Sequence, residues 1–255
     1  MASEAIDISV WILRLLLPEM QTSLAERAYL SIRERILRGQ LPLGEPLSRR
    51  LLAAGLGMSV IPVSEALQRL ERDRLVEIRS RAGTRVRIPT EKDVRDIYEV
   101  REALESHSAR LFADRATRLQ KAELRSRAEQ VDVLFNQLAQ GDTDAEFQYV
   151  VHNSHMEFHM FVAQCTGCEL LSGLIEKNQV LILNWLYDVA AHRRALPPRF
   201  HRGLAEVLVG GEVLPADDAM RGYVRYGLEE TVSKMQTQAP LEWRLPRALT
   251  VVKGG

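Results

Sequence analysis

Three histidines, His152, His155 and His159, fall at i, i+3 and i+7, so a helix through them carries all three imidazoles on one face. His155 and His159 stand four apart, the spacing at which one helix offers two imidazoles to a single metal ion. Neutral imidazole is a borderline donor, which favours zinc or nickel over the hard cations that take oxygen ligands. The same three residues also suit a plain polar lining for a pocket that holds no metal. The two cysteines, Cys165 and Cys168, have CxxC spacing but no second ligand pair elsewhere, so they carry little zinc or redox expectation. Two cysteines in 255 residues build no disulfide framework, which fits a reducing cytoplasm.

These imidazoles need a scaffold, and the surrounding pattern is helical throughout. Between about 91 and 236 no alternating strand pattern occurs. Six helices are predicted over 91–115, 118–140, 143–166, 168–193, 197–210 and 213–236. The breaks fall at Gly141-Asp142-Thr143, Thr166-Gly167, Leu196-Pro197-Pro198 and Gly210-Gly211. Short connections between helices predict an antiparallel six-helix bundle.

The amino-terminal third reads differently. Val63, Ala66, Leu67 and Leu70 recur at helical spacing after Gly57-Met58-Ser59 and leave Ser64, Gln68 and Arg72 on the opposite face. Before them Leu47–Ala54 is a short helix, with Gly55 and Gly57 as turn residues. After them Leu75–Ile78 and Arg85–Ile88 alternate as a hairpin around a turn at Ser80–Thr84. A helix-turn-helix followed by such a wing places its second helix in the major groove of DNA. Charge agrees: residues 21–90 hold thirteen arginines against seven acidic residues, a net of +6, within a chain of net charge 0.

Residues 24–88 resemble the winged-helix domain of the GntR bacterial transcription regulators. The landmarks are Ile36-Leu37-Arg38-Gly39, Pro42-Leu43-Gly44, Leu51-Leu52-Ala53, Leu56-Gly57-Met58-Ser59, Pro62-Val63, Glu65-Ala66-Leu67, Leu70-Glu71 and Gly83-Thr84-Arg85-Val86. Ile97-Tyr98-Glu99-Val100-Arg101-Glu102-Ala103-Leu104-Glu105 is similar to the first helix of the FCD-type effector domain of the fatty-acid-regulator-like subfamily. The resemblance implies a metal site built from His159 and His201, with His155 where Asp or Asn is usual and Tyr223 where a further His is usual. It also implies that Arg101 anchors an effector. A guanidinium inside a bundle needs an anionic partner, either a carboxylate ligand or an internal acid such as Glu102 or Glu105. Trp185 is a further candidate for the cavity lining.

The DNA-reading face departs from the family pattern, because Val60 and Ser64 stand where arginine is common. Val60 and Ile61 suit thymine methyls, and Ser59, Ser64 and Gln68 suit base edges or phosphates. Arg49, Arg50, Arg81 and Arg85 are expected to contact the DNA backbone.

The expected organisation is an extension over 1–22, a winged helix-turn-helix over 23–89, an FCD-like effector-binding and dimerisation domain over 90–236, and a tail over 237–255. The apolar run Val10–Pro18 is too short to cross a bilayer, and Glu4 and Asp7 before it do not suit a signal peptide. The expected protein is a cytoplasmic homodimeric repressor, not an enzyme. It binds an inverted-repeat operator under control of a small carboxylate, with a divalent zinc or nickel ion as cofactor. A regulator for which the metal itself is the signal, and a metal-dependent enzyme, are the alternatives.

Overall fold

The computed structural model describes residues 22–80, 83–141, 145–178 and 196–237. The chain is mostly helical, with an amino-terminal winged helix-turn-helix head and a helical body. Helix α1 (Leu24–Leu37) begins at Ser23, whose hydroxyl accepts from the Glu26 amide at 3.1 Å, and it buries Ala28, Ile32 and Ile36. Helix α2 (Arg49–Leu56) and helix α3 (Val60–Arg72) meet at 115°, a helix-turn-helix crossing. Gly57 makes the turn at φ +63°, where a side chain would be strained, while Gly55 lies within α2 rather than in the turn. Helix α3 buries Pro62, Val63, Ala66, Leu67 and Leu70 against α1.

The wing is a three-stranded sheet in the order β1 (Pro46–Leu47), β3 (Gly83–Val86), β2 (Val76–Arg79), all antiparallel. The hairpin register pairs Val76 with Val86 and Arg79 with Gly83. Strand β1 has only two residues, and its pairing of Leu47 with Thr84 is not visible in local alternation.

Two capping boxes start the long body helices. Thr90 and Asp93 cap α4 (Glu91–Arg115), and Thr117 and Gln120 cap α5 (Arg118–Gln140). Helix α6 (Ala145–Gln164) follows, then helical residues 169–178, α7 (Phe200–Gly210) and α8 (Val213–Thr237). The rest of the helix expected over 168–193, and Trp185 with it, lies outside the described residues, as does Arg81. Helix α8 lies along α4, where Gly227 lets the Tyr98 ring approach; a Cβ there would sit 3.3 Å from it. Phe112, Phe158 and Leu208 are fully buried and belong, with Val94 and with Leu67 and Ile32 of the head, to one connected apolar core.

Head and body also meet through polar groups. Arg38, just beyond α1, lies over the Tyr149 ring at 4.3 Å and pairs with Glu34 at 2.6 Å and Glu146 at 2.5 Å. The Tyr149 hydroxyl donates to Glu34 at 3.4 Å. Tyr149 and Glu146 belong to α6, the helix that carries the histidines.

Candidate functional site

Five body helices each deliver a side chain to one place. Helix α6 brings His155 and His159, α7 brings His201, α8 brings Tyr223, α4 brings Arg101 and Glu105, and α5 brings Asp132 and Phe135. The His155 ring centroid is 4.8 Å from that of His159 and 5.2 Å from that of His201, and Tyr223 is 5.1 Å from His159. Phe135 stacks on His201 at 5.2 Å, and Phe200 stacks on Tyr223 at 4.6 Å, so aromatic faces fix both polar rings. His152, on the same face of α6, is buried edge-on to Phe135 at 6.1 Å.

Carboxylates stand behind two of the imidazoles. Nδ1 of His159 lies 2.8 Å from Glu105, and Nδ1 of His201 lies 2.8 Å from Asp132. At His201 the ionised carboxylate accepts a hydrogen bond from Nδ1–H, which leaves the lone pair on Nε2. Nε2 of His201 is buried and has no hydrogen-bond partner among the described residues. Nε2 of His155 is within hydrogen-bond distance of Nε2 of His159 at 3.0 Å and of the Tyr223 oxygen at 2.8 Å. Burial, reinforced by the neighbouring imidazoles and Arg101, holds the His155 pKa well below the usual histidine value, so this ring stays neutral. Burial pushes the Tyr223 phenol well above its ordinary value, so it is a neutral hydroxyl rather than a phenolate ligand.

Arg101 has an internal partner. Its Nε donates to Glu105 at 2.6 Å, with both side chains nearly inaccessible. The buried guanidinium therefore does not require an external anion for charge balance, as one reading of the sequence had it. Its terminal amines make no hydrogen bond among the described residues, and its guanidinium carbon lies 4.9 Å from the Tyr98 ring centroid. Burial alone would raise the Glu105 pKa, but Arg101 and His159 together hold it at about 2. Asp132 is also held below the usual range: burial opposes, and the bonds from His201 and from the His201 and Arg202 amides prevail.

Among the described residues no three His, Cys, Asp or Glu side chains are gathered so as to hold a metal ion as they stand. Asp132, Phe135 and Phe200 are the site residues described above that sequence reasoning did not assign to the site, and Glu105 entered it only as an alternative partner for Arg101. The signal for Glu105 was present: Arg101 and Glu105 lie four apart on the stripe that includes Ile97, Tyr98 and Phe112, an ion pair at buried positions.

On the head, the outward face of the helix-turn-helix carries Arg49 and Arg50 in the first turn of α2, then Ser59, Val60, Ile61, Ser64 and Gln68 along α3. Ser59 makes no side-chain capping bond, so the first amides of α3 remain available to an anion. Arg49, Arg50 and Arg72 are exposed and take part in no ion pair among the described residues. Arg85 needs correction. It is buried in the wing and ion-paired with Glu77, so it braces the hairpin rather than reaching a phosphate.

Residues 24–86 match the model for bacterial regulatory proteins of the gntR family, and residues 96–226 match the model for the FCD domain. The chain belongs to the GntR family, with an FCD domain as its body. Its similarity extends to named regulators. It is 28% identical over 183 residues to the HTH-type transcriptional regulator YdhC of Bacillus subtilis (strain 168), covering 70% of this chain and 77% of that protein. It is 40% identical over 94 residues to the "Probable D-xylose utilization operon transcriptional repressor" of Paenarthrobacter nicotinovorans, a match that spans 37% of this chain and only 42% of that relative. The solved structure of E. coli McbR/YncC shares the fold at a TM-score of 0.66 with 20% identity, covering 83% of this chain and 98% of that one. A GntR structure from Rhodococcus sp. RHA1 gives 0.66 with 23% identity, covering 84% and 99%. This GntR protein is a transcription regulator with DNA as its partner, and no single described helix is long and apolar enough to cross a membrane.

A first expected result concerns affinity. Replacing Arg49 and Arg50 with Ala should weaken binding to every duplex and lower the slope of log affinity against log salt by about 2, or 0.9 per lost phosphate contact. Filter binding from 50 to 300 mM salt, conditions of about that range, measures it. An unchanged slope would remove both residues from the interface.

Proposed function

We propose that this GntR regulator is a repressor whose operator affinity is set by a small carboxylate bound among His155, His201, Tyr223 and the terminal amines of Arg101. The observation that carries the reading is the buried His201 Nε2, without a partner among the described residues, beside a neutral phenol and a guanidinium. A buried acceptor of this kind is costly to leave unmade, and a bound molecule that offers a hydroxyl to it and a carboxylate to the guanidinium supplies what is missing. The protein acts as a homodimer on an inverted repeat, since two-fold DNA matches a two-fold reader. Helix α6 connects the site to the head, because His155 and Tyr149 lie on one rigid element and Tyr149 is held by Arg38 and Glu34. A ligand that turns or shifts α6 changes how the head is held.

Zinc or nickel belongs to the same proposal. The donors would be His155, His159 and His201, and the chemistry of two of them fits, with a carboxylate behind each Nδ1. His155 would have to present an unprotonated Nε2 and leave Tyr223 and His159. Bound there, the ion would supply positive charge to a ligand carboxylate. Zinc titration of the metal-stripped protein, followed by thermal melting, tests it: the wild type gains stability and His159→Ala does not.

For the effector, mono-, di- and tricarboxylates are titrated into the protein bound to a duplex enriched from a random pool, with and without chelator. One class should release the DNA. Tyr223→Phe should then need about tenfold more ligand or above, the loss expected for a hydrogen bond to a charged group, with unchanged DNA affinity in its absence. If no carboxylate alters either DNA affinity or melting temperature, the effector reading is wrong.

A further inference from the structure

We infer that the head reads thymine through its 5-methyl group, with Val60 and Ile61 as the specificity-determining side chains. The inference rests on DNA as the partner and is independent of the effector reading. The first turn of α3 is apolar and open: Ile61 is 71% exposed and Val60 42%, while Pro62 and Val63 beside them are buried and anchor the helix. The exposed pair is thus projected outward from a backbone that the core holds in place. Thymine's methyl is the apolar group that a base pair presents in the major groove, so it is the natural mate for such a surface.

Two donors on α3, Ser64 and Arg69, are engaged elsewhere. The Ser64 hydroxyl donates to the Val60 carbonyl at 2.9 Å, so its proton is held within the helix. Arg69 is turned back onto the head, paired with Glu26 and lying over the Tyr29 ring at 3.8 Å. Neither presents the bidentate donor that guanine O6 and N7 require. Gln68, exposed one turn beyond Ser64, carries the amide that suits adenine. Arg49, Arg50 and Arg72 supply charge for phosphates, which positions the head without choosing a sequence. At the amino-terminal end of α3 the surface offered to base edges is therefore the apolar pair Val60 and Ile61, followed by the Gln68 amide.

Deoxyuridine provides the test, since it differs from thymidine only in lacking the methyl. Duplexes are enriched from a random pool on the full chain, and thymine is expected at one or two adjacent positions in each half-site. Replacing each of these with deoxyuridine should weaken binding about fourfold per methyl, the value of one buried methylene-sized group. Ile61→Ala, a surface change that leaves the core intact, should bind more weakly overall and no longer distinguish thymidine from deoxyuridine at its position. Val60→Ala should do the same at the neighbouring position. Indifference of the wild type to the methyl, or guanine enriched at these positions, overturns the inference alone. A pool that enriches nothing overturns it together with sequence-specific binding, while the effector reading is judged separately by ligand-induced stabilisation.

Discussion

Glu105→Ala should lower the unfolding free energy by about 3–5 kcal/mol, because it strands the Arg101 guanidinium inside the bundle without its counter-ion. The denaturant midpoint at constant m-value measures the change. Glu105→Gln, which keeps an acceptor for Arg101 but no charge, should fall between the two. A folded-state pKa of about 2 against an ordinary 4.5 makes the same carboxylate an acid-sensitive support. Its contribution, on the order of 3 kcal/mol, is complete above pH 4.5 and disappears as the pH falls toward about 2. An Ala variant within 1 kcal/mol of wild type, roughly the effect of an ordinary surface change, would show that Arg101 is compensated elsewhere.

The second large effect belongs to Asp132. Its two oxygens accept from the His201 amide at 3.0 Å, the Arg202 amide at 3.1 Å and His201 Nδ1 at 2.8 Å. Arg199, the residue before α7, has φ +57° and caps nothing with its side chain, so a carboxylate on α5 caps α7 from outside. Asp132→Ala removes a helix cap and leaves a buried imidazole without its acceptor, which together should cost about 2–4 kcal/mol. Asp132→Asn should retain much of the cap. The Asp132 pKa is also depressed, so this support is present above its ordinary value of 3.8 and is lost on acidification below it. Thermal melts between pH 3 and 7, about the range these two carboxylates span, should show wild type losing stability in acid and Asp132→Ala losing less. Parallel pH profiles for the two proteins would reject this assignment.

What the sequence made legible was local. The helices over 91–115 and 118–140 follow from apolar spacing bounded by Thr90 and Thr117, residues whose capping side chains lie within three positions of their partners. The reading face of α3 follows from the same periodicity. The histidine spacing put His155 and His159 on one side of α6, but nothing local shows that Asp132 meets His201 across 69 positions. Nor does it show that Glu105 sits behind His159. Partners across a bundle leave no periodic trace, because each is one polar residue in an otherwise apolar stripe. Arg85 failed for a related reason: alternation places it in a strand, but its charge is matched by Glu77 eight positions earlier, across the hairpin.

Helix α6 has one more property, which follows from its geometry alone. Tyr149, clasped by Arg38, and His155, among the site's imidazoles, are six residues apart, a rise of about 9 Å along a single hydrogen-bonded rod. The two ends are therefore held in rotational phase. One extra residue between Tyr149 and His152 would swing Tyr149 by roughly 100° away from Arg38 while leaving all three imidazoles where they are. Seven would bring it nearly back into phase but displace it by about 10 Å. The spacing between clasp and histidines is thus a fixed gear ratio: this interval cannot change by a single residue without parting Tyr149 from Arg38.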